Sequence, residues 1–156
     1  MIKKRNLFEN LVNNDLYQVF LFTSPANIPL SLWTHPWFVI NKKGKISRYE
    51  VRYKKNKELG HIHKDNLPPF DGVEVFSFAS YPRWNANLID KIEGEENSPA
   101  QKMCEFIENS INNYKDKNIY FLFGPNSNTY VQWILNNNPE FNGKLKWNAL
   151  GNNYKN

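Results

Sequence analysis

The sequence predicts an α+β fold in which an antiparallel sheet carries two or three packed helices. Three observations predict it: seven short apolar or alternating segments punctuated by Gly, Pro and Asn, a Lys-Gly turn between two of them, and a capped amphipathic stretch late in the chain. The 156 residues and 18.5 kDa suit one domain over residues 1–156, with no internal repeat or linker. Apolar content of 40% with 15% aromatic residues excludes simple disorder.

Residues 6–16 place Leu7, Phe8, Leu11, Val12 and Leu16 at helical spacing and predict a short opening helix. Tyr17–Thr23 reads as a strand ended by Ser24-Pro25. Trp33–Asn41 and Lys45–Lys54 flank Lys42-Lys43-Gly44 and predict an antiparallel hairpin. Leu59–Lys64, Val73–Ala79 and Asn87–Glu93 read as further strands. Ser98-Pro99-Ala100-Gln101 is a capping box with proline at the first helical position, and Met103, Cys104, Ile107, Ile111 and Tyr114 continue it as an amphipathic helix of about sixteen residues. Ile119–Phe123 reads as a short strand broken by Gly124-Pro125-Asn126. Tyr130, Val131, Ile134 and Leu135 mark a second helix that ends before Pro139.

A net charge of +5 and a pI near 9.2 invite an anionic partner, and Lys42–Lys57 holds much of the basic charge. No nucleic-acid motif accompanies it, so a solvated hairpin is the simpler expectation. No apolar run approaches a membrane span, and no secretory leader follows the basic start, which predicts a cytoplasmic protein. The single cysteine, Cys104, falls on the inward stripe of the first long helix, where packing is its expected role. His61 and His63 share a strand face but lack a third ligand at a recognisable spacing, so no metal and no other cofactor is expected.

Two segments carry candidate chemistry. With Lys43-Gly44 as the turn, His35 falls opposite Arg52, and Glu50 lies one diagonal step away on the same face. That register offers a general base and an orienting carboxylate. Phe38, Ile40, Tyr49 and Val51 share the opposite face. The second segment, Gly124-Pro125-Asn126-Ser127-Asn128-Thr129-Tyr130, gathers small polar residues at a helix start. Such residues cap helices, and the free N–H groups there also stabilise an oxyanion.

These motifs, with the tail Ala149-Leu150-Gly151-Asn152-Asn153-Tyr154, resemble an uncharacterised bacterial family over about residues 17–154. That family carries a His-x-Trp strand, a Gly-Pro-Asn-Ser-Asn-Thr-aromatic motif and an Ala-Ile-Gly-Lys-Asp-Tyr tail, from which this chain departs at Asn152 and Asn153. The order of motifs is also similar to the circularly permuted papain-like superfamily, which includes NlpC-type amidases and lecithin retinol acyltransferase-like proteins. That likeness implies a permuted papain-like architecture with His35 as base, Glu50 as orienting residue and Ser127 where the superfamily has a nucleophilic cysteine. The implied activity is that of an amide or ester hydrolase or an acyltransferase. The other implied reading is a catalytically silent domain that binds a small molecule, peptide or lipid-like ligand in the same cleft. Asn126, Asn128, Thr129 and Trp37 are the candidate ligand contacts, with Trp84 or Trp133 as further apolar walls. Asn126 is expected to face the cleft while Asn128 or Thr129 caps the helix.

Overall fold

The hairpin at the centre of the sheet is set by its turn. Lys43 and Gly44 both take positive φ, 51° and 92°, the conformation that lets two residues join right-twisted strands. The Gly44 N–H donates to Asn41 Oδ1 at 2.7 Å and closes the turn. The strands it joins are β2 (Thr34–Lys42) and β3 (Lys45–Asn56). Phe38 pairs with Tyr49 and Val39 with Arg48, the register expected from the turn.

The computed structural model describes residues 8–76 and 82–154. Five strands form an antiparallel sheet in the order β4-β3-β2-β1-β7, where β1 is Tyr17–Pro25, β4 is Gly60–Lys64 and β7 is Asn87–Gly94. Strands β5 (Asp71–Glu74) and β6 (Arg83–Asn85) pair separately. Two helices, α1 (Pro99–Asn113) and α2 (Ser127–Asn136), complete the α+β architecture. None of the described helices is long and apolar enough to cross a membrane.

Central strands β1 and β2 are covered on both faces, which explains their unbroken apolar runs. Val19, Leu21, Phe38, Ile40, Tyr49 and Val51 meet Met103, Cys104 and Ile107 of α1 and Tyr130, Val131 and Ile134 of α2. On the other face Phe20, Phe22, Trp37 and Val39 pack with Phe70 and Ala86. Cys104 is buried in the first of these cores, and burial pushes its thiol up to about 12, so packing is its role. Ser98 caps α1 by accepting from the Gln101 N–H at 3.2 Å, with Pro99 at the first position.

Several elements differ from the sequence reading. Ile119–Phe123 is not a strand. Its hydrogen bonds are local, with the Ile119 N–H donating to the Asp116 carbonyl and the Phe121 N–H to the Pro125 carbonyl, so no ladder forms. Its apolar side chains face outward, with Phe121 64% and Phe123 71% exposed; composition alone does not separate such a loop from a buried strand. The opening helix is helical only at Phe8 and Glu9 and then turns, while residues 6 and 7 lie outside the described residues. The strand expected over Val73–Ala79 begins at Asp71 and ends at Glu74, and its residues 77–79 lie outside the described residues. The short β6 carries too little pattern to be read from sequence.

Gly60 shows how the sheet edge meets the Ile119 loop. Its φ is +66°, and a Cβ there would lie 2.2 Å from the Lys117 carbonyl oxygen, which accepts the neighbouring His61 N–H. Gly60→Ala is therefore expected to lower unfolding free energy by about 2 kcal/mol or more, read as a fall in urea midpoint at unchanged m-value.

Candidate functional site

Arg48, Glu50 and Arg52 alternate along one face of β3, and on β2 His35 and Trp37 share that face. The β2–β3 ladder ends at Phe38–Tyr49, so His35 and Glu50 lie just past the last backbone pair. There His35 Nε2 is 2.8 Å from Glu50 Oε2. The same oxygen accepts from Arg48 Nη2 at 2.9 Å, and both Arg48 and Glu50 are buried. Arg48 Nη1 donates to the Pro68 and Asp71 carbonyls at 2.8 and 2.6 Å, and its guanidinium lies 4.2 Å over the Trp37 ring. Burial would push the Glu50 carboxyl up, but the Arg48 charge and the His35 hydrogen bond together hold it well below the usual carboxylate range. An ionised Glu50 can only accept, so the proton of this bond sits on His35 Nε2, and in the neutral imidazole the lone pair is then on Nδ1.

The second half of the site is built by Asn126. Its side-chain oxygen accepts from the Asn128 and Thr129 N–H groups at 2.9 and 3.2 Å, and its own N–H donates to Thr129 Oγ1 at 3.2 Å, a complete capping box. Its Nδ2 donates to the Leu122 and Leu150 carbonyls at 2.8 and 2.9 Å. Asn128 Nδ2 donates to the Leu150 and Thr34 carbonyls at 3.0 and 3.2 Å, tying the helix start to the mouth of β2. Thr129 Oγ1 donates to the Gly151 carbonyl at 2.8 Å. The tail motif thus docks on the Gly-Pro-Asn-Ser-Asn-Thr motif. Gly151 permits this contact, since a Cβ there would lie 2.5 Å from Asn126 Nδ2.

A cavity of about 100 Å³ opens where these parts meet. His35, Arg52, Asn126, Ser127 and Asn128 all contribute to its wall, with Trp33 and Tyr120 among the apolar members. It adjoins a groove of about 670 Å³ that shares Leu30, Arg52, Tyr53, Tyr120 and Leu122. The structure therefore brings His35, Glu50 and Ser127 to one end of the sheet. His35 and Ser127 share the cavity, although no hydrogen bond joins Ser127 Oγ to His35 among the described residues.

Other expected residues fall elsewhere. Trp37 is fully buried, donates from Nε1 to the Pro69 carbonyl at 3.0 Å, and supports Arg48 rather than lining the cavity. Thr129 is spent on the cap and the tail. Trp84 Nε1 donates to the Ala26 carbonyl, and Trp133 packs among Phe106, Tyr114 and Tyr130. The expected division of labour at the helix start holds only in part: Asn126 lines the cavity but is also the cap, Thr129 completes the capping box, and Asn128 Oδ1 is buried without a partner among the described residues. The reason is geometric, because the residue just outside the helix is the one whose side chain reaches the second and third N–H groups. That cap also takes two N–H groups expected to hold an oxyanion. His61 and His63 donate to the Arg52 and Lys54 carbonyls at 3.0 and 2.6 Å, closing the irregular stretch of the β3–β4 ladder.

Arg48 was missed as a site residue because it sat within a basic hairpin. Its signal was its place two residues before Glu50, on the same strand face. Trp33 and Tyr120 carry no local signal, since only the fold brings their segments together.

An antiparallel sheet with two helices on one face, and a buried His–Glu–Arg cluster beside a capped helix start, define an α+β protein with a polar cavity lined by two separate motifs. The chain belongs to the family of proteins of unknown function designated DUF3750, which it matches over residues 18–154. No curated protein and no solved structure matches it.

Two outcomes follow from this geometry. Asn126→Ala removes a cap, takes the side-chain donor from the Leu122 carbonyl and leaves the Leu150 carbonyl with Asn128 alone, so it should cost about 2 kcal/mol of stability and more than Asn128→Ala, compared by thermal unfolding. Glu50→Gln leaves a buried guanidinium uncompensated and should cost about 3–5 kcal/mol at neutral pH by urea unfolding. Because the Glu50 pKa is depressed in the folded state, its contribution is complete above the unfolded value near pH ~4.3 and is lost as pH falls below it. The gap between wild type and Glu50→Gln should therefore be constant from neutral pH down to about 5 and narrow below about 4.

Proposed function

We propose that the cavity is an acyl-transfer site of an amide or ester hydrolase or acyltransferase, within a permuted papain-like arrangement. The observation that carries this reading is the His35–Glu50 hydrogen bond, with the neutral imidazole lone pair on Nδ1, in a cavity shared with Ser127 at the first position of α2. The chain order also supports it: a histidine on one strand, an orienting residue on the next, and a later candidate nucleophile opening a helix.

In this mechanism Ser127 Oγ attacks the substrate carbonyl carbon while His35 Nδ1 takes the hydroxyl proton. The imidazolium that forms is stabilised by ionised Glu50, which Arg48 keeps charged and immobile. The Ser127 N–H, without an intrahelical acceptor, is the donor left at the helix start for the developing oxyanion. His35 then returns its proton to the leaving amine or alkoxide, and an acyl-Ser127 ester remains. Water, or an acceptor nucleophile, completes the transfer by the reverse steps. A Ser127–His35 bond is not a precondition in the free protein, since catalytic hydrogen bonds often tighten only with substrate bound.

A second reading, ligand binding without chemistry, is favoured by one observation: Asn126 already occupies the Asn128 and Thr129 N–H groups. A serine-directed phosphonate probe separates the two readings. Acyl transfer requires labelling of wild type and none of Ser127→Ala, with ester turnover slowed about a hundredfold or more in His35→Ala. Equal labelling of all three proteins refutes it. A wild type silent toward esters, together with an active Ser127→Cys variant, identifies a cleft that binds but has lost its nucleophile.

A further inference from the structure

The large apolar side chains that the described fold leaves exposed are gathered around the cavity mouth. Tyr53, Phe121 and Leu122 line the outer groove, with exposures of 80%, 64% and 40%. Phe123 (71%), Trp147 (95%) and Tyr154 line a second shallow depression that reaches Leu150 at the cavity wall. Leu32, 86% exposed, is held beside this depression by a hydrogen bond from Asn148 to its carbonyl. Ile28 and Phe76, also exposed, pair with each other near the same end. Ile119 completes the set from the loop that carries Phe121. An apolar surface concentrated in this way marks an interaction site.

Exposed basic residues accompany this surface. Lys54 lines the groove, Lys55 follows it, and Lys144 and Lys146 precede Trp147; all four are exposed, and none forms an ion pair among the described residues. At the hairpin tip, far from the cavity, Lys42 pairs with Glu108 and Lys43 with Glu96, while Lys45 is exposed there without an ion pair among the described residues. Unpaired ammonium groups beside protruding Trp, Phe, Tyr and Leu side chains are the composition that seats a protein in the headgroup layer of a membrane.

We infer that the cavity-mouth end of this protein docks on an anionic lipid bilayer, with Phe121, Phe123 and Trp147 entering the headgroup–acyl boundary and the unpaired lysines facing the lipid phosphates. An anionic bilayer fits better than a second copy, because two such faces would bring the lysines of both together. It fits better than a small acidic ligand, because Phe121, Phe123 and Trp147 are 64%, 71% and 95% exposed and are divided between two open depressions. The inference does not depend on the acyl-transfer reading, since it uses none of His35, Glu50 or Ser127. If both hold, the cavity opens toward the membrane.

Vesicle flotation tests it. Wild type should float with phosphatidylcholine–phosphatidylglycerol vesicles and not with phosphatidylcholine alone, with a blue-shifted tryptophan emission that high salt reverses. Phe123→Ser/Trp147→Ser and Lys144→Ser/Lys146→Ser should each reduce partitioning about tenfold or more. Lys43→Ser, at the far end, should bind like wild type. All four substituted side chains in the double variants are exposed, so circular dichroism should show them folded. Ser127→Ala should also float like wild type, which keeps this outcome separate from any loss of chemistry. Absence of flotation with the phosphatidylcholine–phosphatidylglycerol vesicles overturns the inference, as does undiminished partitioning of both double variants. A dimer seen by light scattering and dissolved by the same substitutions assigns the face to a second copy instead. Binding to an acidic polypeptide without any to vesicles assigns it to a protein partner.

Discussion

Placing a guanidinium and a carboxylate together inside a protein is tolerable only if each finds enough partners to replace its water, and the Arg48–Glu50 pair meets that condition with little to spare. Desolvating two ions costs several kcal/mol each, and their attraction recovers this only when the remaining polar atoms are engaged. Arg48 spends one nitrogen on Glu50 and another on two carbonyls of the segment before β5, with the Trp37 ring beneath it. Glu50 in turn has His35. Removing any member exposes the others to an unmet demand, so strand β2, strand β3 and the Pro68–Asp71 segment are held in one relative position. Among the described residues Glu50 Oε1 keeps an unused acceptor site and Arg48 Nε an unused donor.

The Asn126 side chain is the counterpart of this cluster on the helix side, and it is neutral where the other is charged. Its carbonyl oxygen serves the helix and its amide nitrogen serves two loops, so both ends of the amide have assigned roles and a flip would break every bond. Asn128 adds the link to Thr34, next to His35. Two polar hubs, one in the sheet and one at the helix start, thus meet across one cavity, and each ties a local pair or cap to segments distant in sequence.

Much of the sheet and the first half of the site was legible in the chain because they rest on local rules. A Lys-Gly turn fixes a hairpin register, and the register alone places Glu50 beside His35. Ser98-Pro99 announces α1. What was not legible depends on contacts between distant segments. Nothing near Asn126 in sequence says that Leu150 will supply its acceptor, and so its double role as cap and cavity wall was not legible. Ile119–Phe123 has the composition of a strand, yet the backbone bond that β4 makes to this region goes to the Lys117 carbonyl, with His61 packed on the Tyr120 ring, and no ladder forms. Trp37 reads as a candidate ligand wall until the fold shows Arg48 seated on its face.

The tail contact carries a consequence for how the site is enclosed. Leu150 and Gly151 supply the carbonyls that Asn126, Asn128 and Thr129 require. When they are undocked, the sheet and its buried charge cluster keep their own partners, but the wall beside Ser127 has no backing. A chain cut before Leu150 retains its histidine–glutamate pair while lacking the enclosure around it. The tail acts as a latch on the site.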